Sequence, residues 1–301
     1  MGPSVFWSLL AMSIIATSTA AAENPNLSAE FLKPVVALNF EPNGSWSRDK
    51  DWGIRARGIS VDLRTEGTGG GLGNLTIVDD PVIGIGHALH YLITNQTDDH
   101  KARLEHYMHI APMRHTFVSE FSLKLDKGFT PRESVTPAGG ENWLILRQWH
   151  QCAPESPPLS LSIKNGTNNV LSWLVISGKN KHESQESVIG TYAAKLDHWY
   201  HIRMRWNISP PNTNKTQGDG GCKVYLSDTV LPKDLTEANV LFNYQGPIGY
   251  ADRPGHDGDN IREQQGIYQG AHTLLPVHHG YCIDNVAIYE VDRSSKTAPI
   301  K

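Results

Sequence analysis

Residues 143–151 read WLILRQWHQ. Trp143 to Leu146 have the apolar character of a buried strand, and Gln148 and His150 then arrive two residues apart. Successive side chains of a strand point to opposite faces. By that alternation Trp143, Ile145, Arg147 and Trp149 share one face, and Leu144, Leu146, Gln148 and His150 share the other. If that second face were buried, both polar groups would need hydrogen-bond partners. A concave sheet face forming a wet groove gives them another use.

The rest of the chain reads the same way. Helical periodicity is hard to find. Short alternating segments broken by Gly, Pro, Asn and Asp recur at 35–40, 58–63, 88–93, 103–110, 116–125, 143–150, 159–163, 170–176, 198–206, 223–226 and 283–290. So many strands with turn-rich connectors predict an all-β sandwich or jelly roll of two antiparallel sheets. The expected loops are 65–73, 131–141, 209–221 and 250–259. The run GTGGGLG at 67–73 is a turn and not a phosphate loop, because no Lys-Ser/Thr and no strand–helix context follow it.

Phe6 to Thr17 form a short apolar run, followed by the small residues Ser18 to Ala22. This predicts a secretory signal peptide over 1–22 and a single domain over 23–301. The run is too short to span a bilayer. Asn43, Asn74, Asn95, Asn165, Asn207 and Asn214 each open an N-x-S/T triplet, which agrees with a secreted, extracellular glycoprotein. Three cysteines, Cys152, Cys222 and Cys282, are too few for a disulfide scaffold. The net charge of −4 is spread along the chain, with no basic run for nucleic acid or a membrane surface. The expected state is a monomer.

Two further stripes are polar. In KARLEHYMHI (101–110), Lys101, Arg103, Glu105, Tyr107 and His109 alternate onto one face. In REQQGIYQG (262–270), Tyr268 stands among glycines and amides, with Arg262 nearby. Arg, Gln, His and Tyr together suit β-elimination on a uronic-acid polysaccharide. Removing the C5 proton leaves negative charge that spreads into the carboxylate, and a cation with amide donors stabilises it. Arg grips a carboxylate by bidentate contact. His suits the base, with an ordinary pKa of about 6.5. A Tyr hydroxyl can protonate the O4 leaving group, so no cofactor is required.

The segments ALHYLI (88–93), R-L-E at Arg103 to Glu105, LILRQWHQCAPESPPLSLSI (144–163), HWYHIRMRW (198–206), GIYQG (266–270) and IDNVAIYE (283–290) occur in an order that resembles polysaccharide lyases of β-jelly-roll fold, of the heparin-lyase-like and alginate- or glucuronan-lyase-like kind. The resemblance implies His150 as base or as partner of the substrate carboxylate. It implies Gln148 and Arg103 as carboxylate neutralisers, and Tyr268 as proton donor or as both base and acid. Arg262, Gln264, Glu105 and His90 are the implied substrate contacts. The family's Lys before G-x-Y is Gln264 here, and Arg262 is the nearby cation that could replace it.

His87-x-x-His90 and His278-His279 invite a zinc reading, yet no Cys/His/Asp set has a recognised zinc spacing. Asp284 and Glu41, near chain ends that often pair in sandwiches, are candidates for a structural calcium. Trp143, Trp149, Trp199 and Trp206 are expected mostly in the core, and Tyr250 and Tyr281 are expected to stack on sugar rings. The substrate expectation is an acidic polysaccharide. The rivals are a non-catalytic lectin on the same fold and a glycoside hydrolase, which would need a pair of acidic residues not evident here.

Overall fold

The computed structural model describes residues 36–38, 61–64, 72–79, 86–94, 102–130, 143–151, 156–163, 169–211, 219–251, 260–270 and 277–291. Sixteen strands follow in chain order. They are β1 (Val36–Leu38), β2 (Val61–Arg64), β3 (Leu72–Val78), β4 (Ala88–Thr94), β5 (Ala102–Pro112), β6 (Thr116–Leu125), β7 (Leu144–His150) and β8 (Leu159–Ile163). Then come β9 (Val170–Gly178), β10 (Ser184–Ala193), β11 (Trp199–Asn207), β12 (Gly221–Ser227), β13 (Val240–Gln245), β14 (Gly249–Tyr250), β15 (Asn260–Gln269) and β16 (His278–Glu290). The predicted signal peptide, Cys152 and Glu41 lie outside the described residues.

The strands form two sheets. The first runs β13-β12-β11-β6-β16-β4-β3, with β1 on β16. The second runs β10-β9-β8-β7-β15-β5-β2, with the short β14 on β9. Every pairing is antiparallel except β14 with β9. The molecule is thus an all-β sandwich of two antiparallel sheets, of jelly-roll type, as its strand pattern predicts. The first and last described strands pair, β1 with the C-terminal half of β16.

Apolar side chains from both inner faces make one core. Tyr200, Ile202, Met204 and Trp206 of β11 alternate inward, as do Leu159, Leu161 and Ile163 of β8. Trp206 stacks on Phe117 at 4.9 Å and meets the edge of Trp149, from the second sheet, at 6.0 Å. Burying each such side chain contributes about 1.5–3 kcal/mol. Trp143 and Trp199 are only half-buried.

Strict alternation fails on β7. Leu146 has no register partner on either neighbour, because Ile145 pairs with Ser162 and Tyr268 while Arg147 pairs with Leu161 and Gln265. One extra residue shifts the phase of a strand. Leu144 and Leu146 therefore join the core together with Trp149, rather than sharing a face with Gln148 and His150. Arg147 is also turned inward, 1% exposed, with its guanidinium 4.3 Å from the Phe121 ring centroid.

Arg147 is matched by buried partners. It pairs with the Glu263 carboxylate and donates to Gln265 Oε1 at 2.8 Å. Ser119, from the opposite sheet, donates to Glu263 at 3.1 Å and accepts from Trp206 Nε1 at 2.9 Å. Burial pushes the Glu263 carboxyl above its ordinary range, against the pull of Arg147 and Ser119. The Tyr281 hydroxyl reaches across to the Leu146 carbonyl at 3.0 Å, supplying the bulged residue with the partner a regular ladder would give. Tyr281 is fully buried and stacks on Tyr91 at 5.0 Å, and Tyr250 is 1% exposed with its hydroxyl on the Ser156 carbonyl. Neither tyrosine is a sugar-stacking platform, because each phenol completes a buried backbone contact.

Candidate active site

β15 lies between β5 and β7 in the second sheet, and register brings most of the predicted site together on these three strands. Arg262 pairs with His150 on one side and His109 on the other. Gln264 pairs with Gln148 and Tyr107, Gly266 with Glu105, and Tyr268 with Ile145 and Arg103. Glu263, Gln265 and Ile267 alternate toward the core, which leaves 262, 264, 266 and 268 on the outer face.

A buried polar cluster sits at the centre. Gln148 Nε2 donates to Glu105 Oε1 at 2.6 Å and to Gln264 Oε1 at 2.7 Å. Gln148 is 0% exposed, Glu105 2% and Gln264 4%. Both amide hydrogens of Gln148 are therefore engaged, and its Oε1 is buried without a partner among the described residues. The Glu105 carboxylate fixes which end of the amide is which, since it can only accept.

Two pairs flank this cluster. At one end His150 and Arg262, both half-buried, are opposite one another. At the other, half-buried Tyr268 is opposite Arg103 and meets Trp143 edge-on at 4.6 Å. Arg262 and Tyr268 stand six positions apart on β15, roughly 20 Å at the Cα level for a regular strand. A base at His150 and an acid at Tyr268 can serve one glycosidic bond only if curvature of the sheet brings them much closer than this spacing, because side-chain rotation alone does not span it.

His90 is not part of this face. It lies on β4 of the first sheet, at a position alternating away from the inward-facing Leu89 and Tyr91. Its Nε2 is 2.8 Å from Asp126 Oδ2. Asp284 lies on the first sheet too, 8% exposed and opposite Ser122, with Asn285 Nδ2 3.4 Å from its Oδ2. Ser160 and Ser162, buried next to Gln148 and Ile145 in register, were not singled out in the sequence, where a strand serine gives no distinguishing signal.

No family model and no curated protein matches the chain. Solved structures of similar fold include the binding domain of botulinum neurotoxin serotype D/C VPI 5993, with TM-score 0.48 and 10% identity over 90% of this chain and 51% of that one. Alginate lyase AlyC3 gives TM-score 0.41 and 10% identity over 68% of this chain and 75% of its own. The family 7 alginate lyase A1-II′ gives 0.41 and 12% over 71% and 83%. The chain spans about half the length of the neurotoxin binding domain it matches.

Proposed function

We propose that the protein is a secreted polysaccharide lyase that cleaves a uronic-acid polymer of glucuronan, alginate or glycosaminoglycan type by β-elimination. The observation that carries this reading is the register of β5, β15 and β7. It gathers Arg103, Glu105, Gln148, His150, Arg262, Gln264 and Tyr268, from three distant segments, into one patch of one sheet. In this reading the substrate lies along the patch. His150 takes the C5 proton, and the C5–H electron pair becomes a C4=C5 double bond as the C4–O4 bond breaks. Tyr268 returns a proton to O4. Arg103 and Arg262 offset the charge on the substrate carboxylate, as a cation close to developing charge does in a desolvated site. The product carries an unsaturated uronate at its new non-reducing end.

One observation favours a second reading, sugar binding without cleavage. The Gln148 amide donors are closed off by Glu105 and Gln264 and its oxygen is buried, so Gln148 offers no donor to a substrate carboxylate. Ultraviolet absorbance of the protein incubated with glucuronan, alginate, heparin and pectate separates the two. The lyase reading expects absorbance to rise on one polymer with wild type and to be lost in His150→Ala and in Tyr268→Phe. Retention of a polymer on the protein with no rise across the panel would leave the binding reading.

A further inference from the structure

The outer face of the first sheet gathers three metal-ligating side chains and sets a fourth, His278, against one of them. β4 supplies His90, the residue after β6 is Asp126, and β16 supplies His278 and Cys282. His90 Nε2 and His278 Nε2 approach the same oxygen, Asp126 Oδ2, at 2.8 and 2.7 Å. The ligand atoms of His90, Asp126 and Cys282 all lie within 4.8 Å of one another, the one such group among the described residues. His90 and Cys282 are direct register partners.

The backbone is shaped for this convergence. Positions 278, 280 and 282 of β16 share a face by alternation, and the middle one is glycine. A Cβ at Gly280 would lie 2.1 Å from Asp126 Oδ2 and 3.1 Å from His278 Nε2. The missing side chain is what admits the carboxylate between His278 and Cys282. The turn carrying Asp126 is pinned to β16 by Asp126 N to Gly280 O at 3.0 Å, Thr130 N to His278 O at 2.8 Å and His278 N to Thr130 Oγ1 at 2.9 Å. Cys282 is 4% exposed and forms no disulfide with another of the described residues. The side chains of His90 and Asp126 are 16% exposed and that of His278 is 38% exposed, so the cluster is shielded below and open on one side.

We propose that His90, Asp126, His278 and Cys282 form a binding site for a divalent ion of the zinc class. Two imidazole nitrogens, one carboxylate oxygen and one thiol are donors that such ions accept in tetrahedral sites at about 2.0–2.3 Å. A contraction of the present cluster, with loss of the thiol proton, completes that geometry. The sequence concealed the set because its members lie 36, 152 and 4 residues apart and only strand pairing unites them. With four protein ligands the ion would tie β4, β16 and the turn after β6 together. The site belongs to the sheet opposite the proposed lyase face, so it stands or falls separately from that reading.

The test is metal analysis of the full chain, stripped with a chelator and titrated with Zn²⁺, then with Co²⁺ as a spectroscopic probe. One equivalent should bind, and the Co²⁺ form should show a thiolate-to-metal charge-transfer band in the near ultraviolet. Cys282→Ser should remove the band. His90→Gln should weaken Zn²⁺ binding by more than the roughly 10–100-fold that loss of an outer-shell partner costs. Should His90→Gln not fold, judged by circular dichroism, the Cys282→Ser spectrum decides alone. Failure of stripped wild type to bind a stoichiometric ion, or a thiolate band that is absent from wild type or survives in Cys282→Ser, overturns the proposal.

Discussion

Gly266→Ala should unfold the site from within. Gly266 has φ +146°, a conformation that side-chain-bearing residues rarely adopt. Strain of that kind costs about 1–3 kcal/mol. A Cβ there would also lie 2.0 Å from the Leu104 carbonyl oxygen and 2.5 Å from Glu105 Cα, both of them backbone atoms of β5. No side-chain rotation relieves such contacts, so β15 and β5 must separate, at about 1–3 kcal/mol for an overpacked interior. Together the two effects reach about 2–6 kcal/mol, a large share of the 5–15 kcal/mol of a typical domain. Equilibrium unfolding in urea, followed by tryptophan fluorescence, should show a midpoint well below wild type with an unchanged slope. Gly128→Ala is the control. Its Cβ would meet only the His278 ring, no closer than 3.8 Å, and a change within about 0.5 kcal/mol is expected. Equal midpoints for Gly266→Ala and wild type would refute the argument that β5 and β15 touch at this glycine.

Arg147→Leu strands the Glu263 carboxylate in the core and should cost about 3–5 kcal/mol; thermal unfolding of Arg147→Leu and of Arg147→Leu/Glu263→Leu checks this, since the double variant should recover much of the loss. His201 is 5% exposed, and burial lowers its pKa below the ordinary 6.5, with nearby Asp228 opposing and His198 adding to the shift. A depressed folded pKa means that the unfolded chain binds the proton first on acidification, so the contribution of His201 is complete above about pH 6.5 and is lost as pH falls through the folded value. Melting temperature measured against pH should fall below that point, and His201→Gln should flatten the slope. Gln264→Lys places a cation beside Glu105 and Gln148 and should raise turnover of a uronate polymer if the face is a lyase site; an unchanged or lower rate would show that Gln264 is not the position limiting activity.

The strand pattern carried the architecture because burial imposes alternation wherever one face is covered. The bounds read for β6 and β8 coincide with those observed, and β7, β9 and β11 differ by a few residues at most. What stayed hidden has the same physical origin. β10 and β13 lie at sheet edges; β10 is largely exposed and β13 only half-buried, so neither carries a fully buried apolar period. β3 is absent from the expected strands altogether, its first two residues falling in the expected glycine-rich loop at 65–73. A bulge has no sequence signature, and the inward turn of Leu144 and Leu146 on the same side as Arg147 and Trp149 therefore could not be read from WLILRQWHQ. The polar stripes on β5, β7 and β15 were legible as separate faces. That they abut, and that His90 lies on the other sheet, depends on strand order, which short-range pattern does not encode.

The most direct test of the central claim is the mass of the fragments released when the protein is incubated with the polymer that responds best. Elimination predicts that every fragment except the one bearing the polymer's original non-reducing end is lighter by one water than its hydrolytic counterpart and carries an unsaturated terminal uronate, and that none is formed by His150→Ala. Cleavage in which the internal fragments also have full hydrolytic mass, or unsaturated fragments from His150→Ala at the wild-type rate, would contradict it.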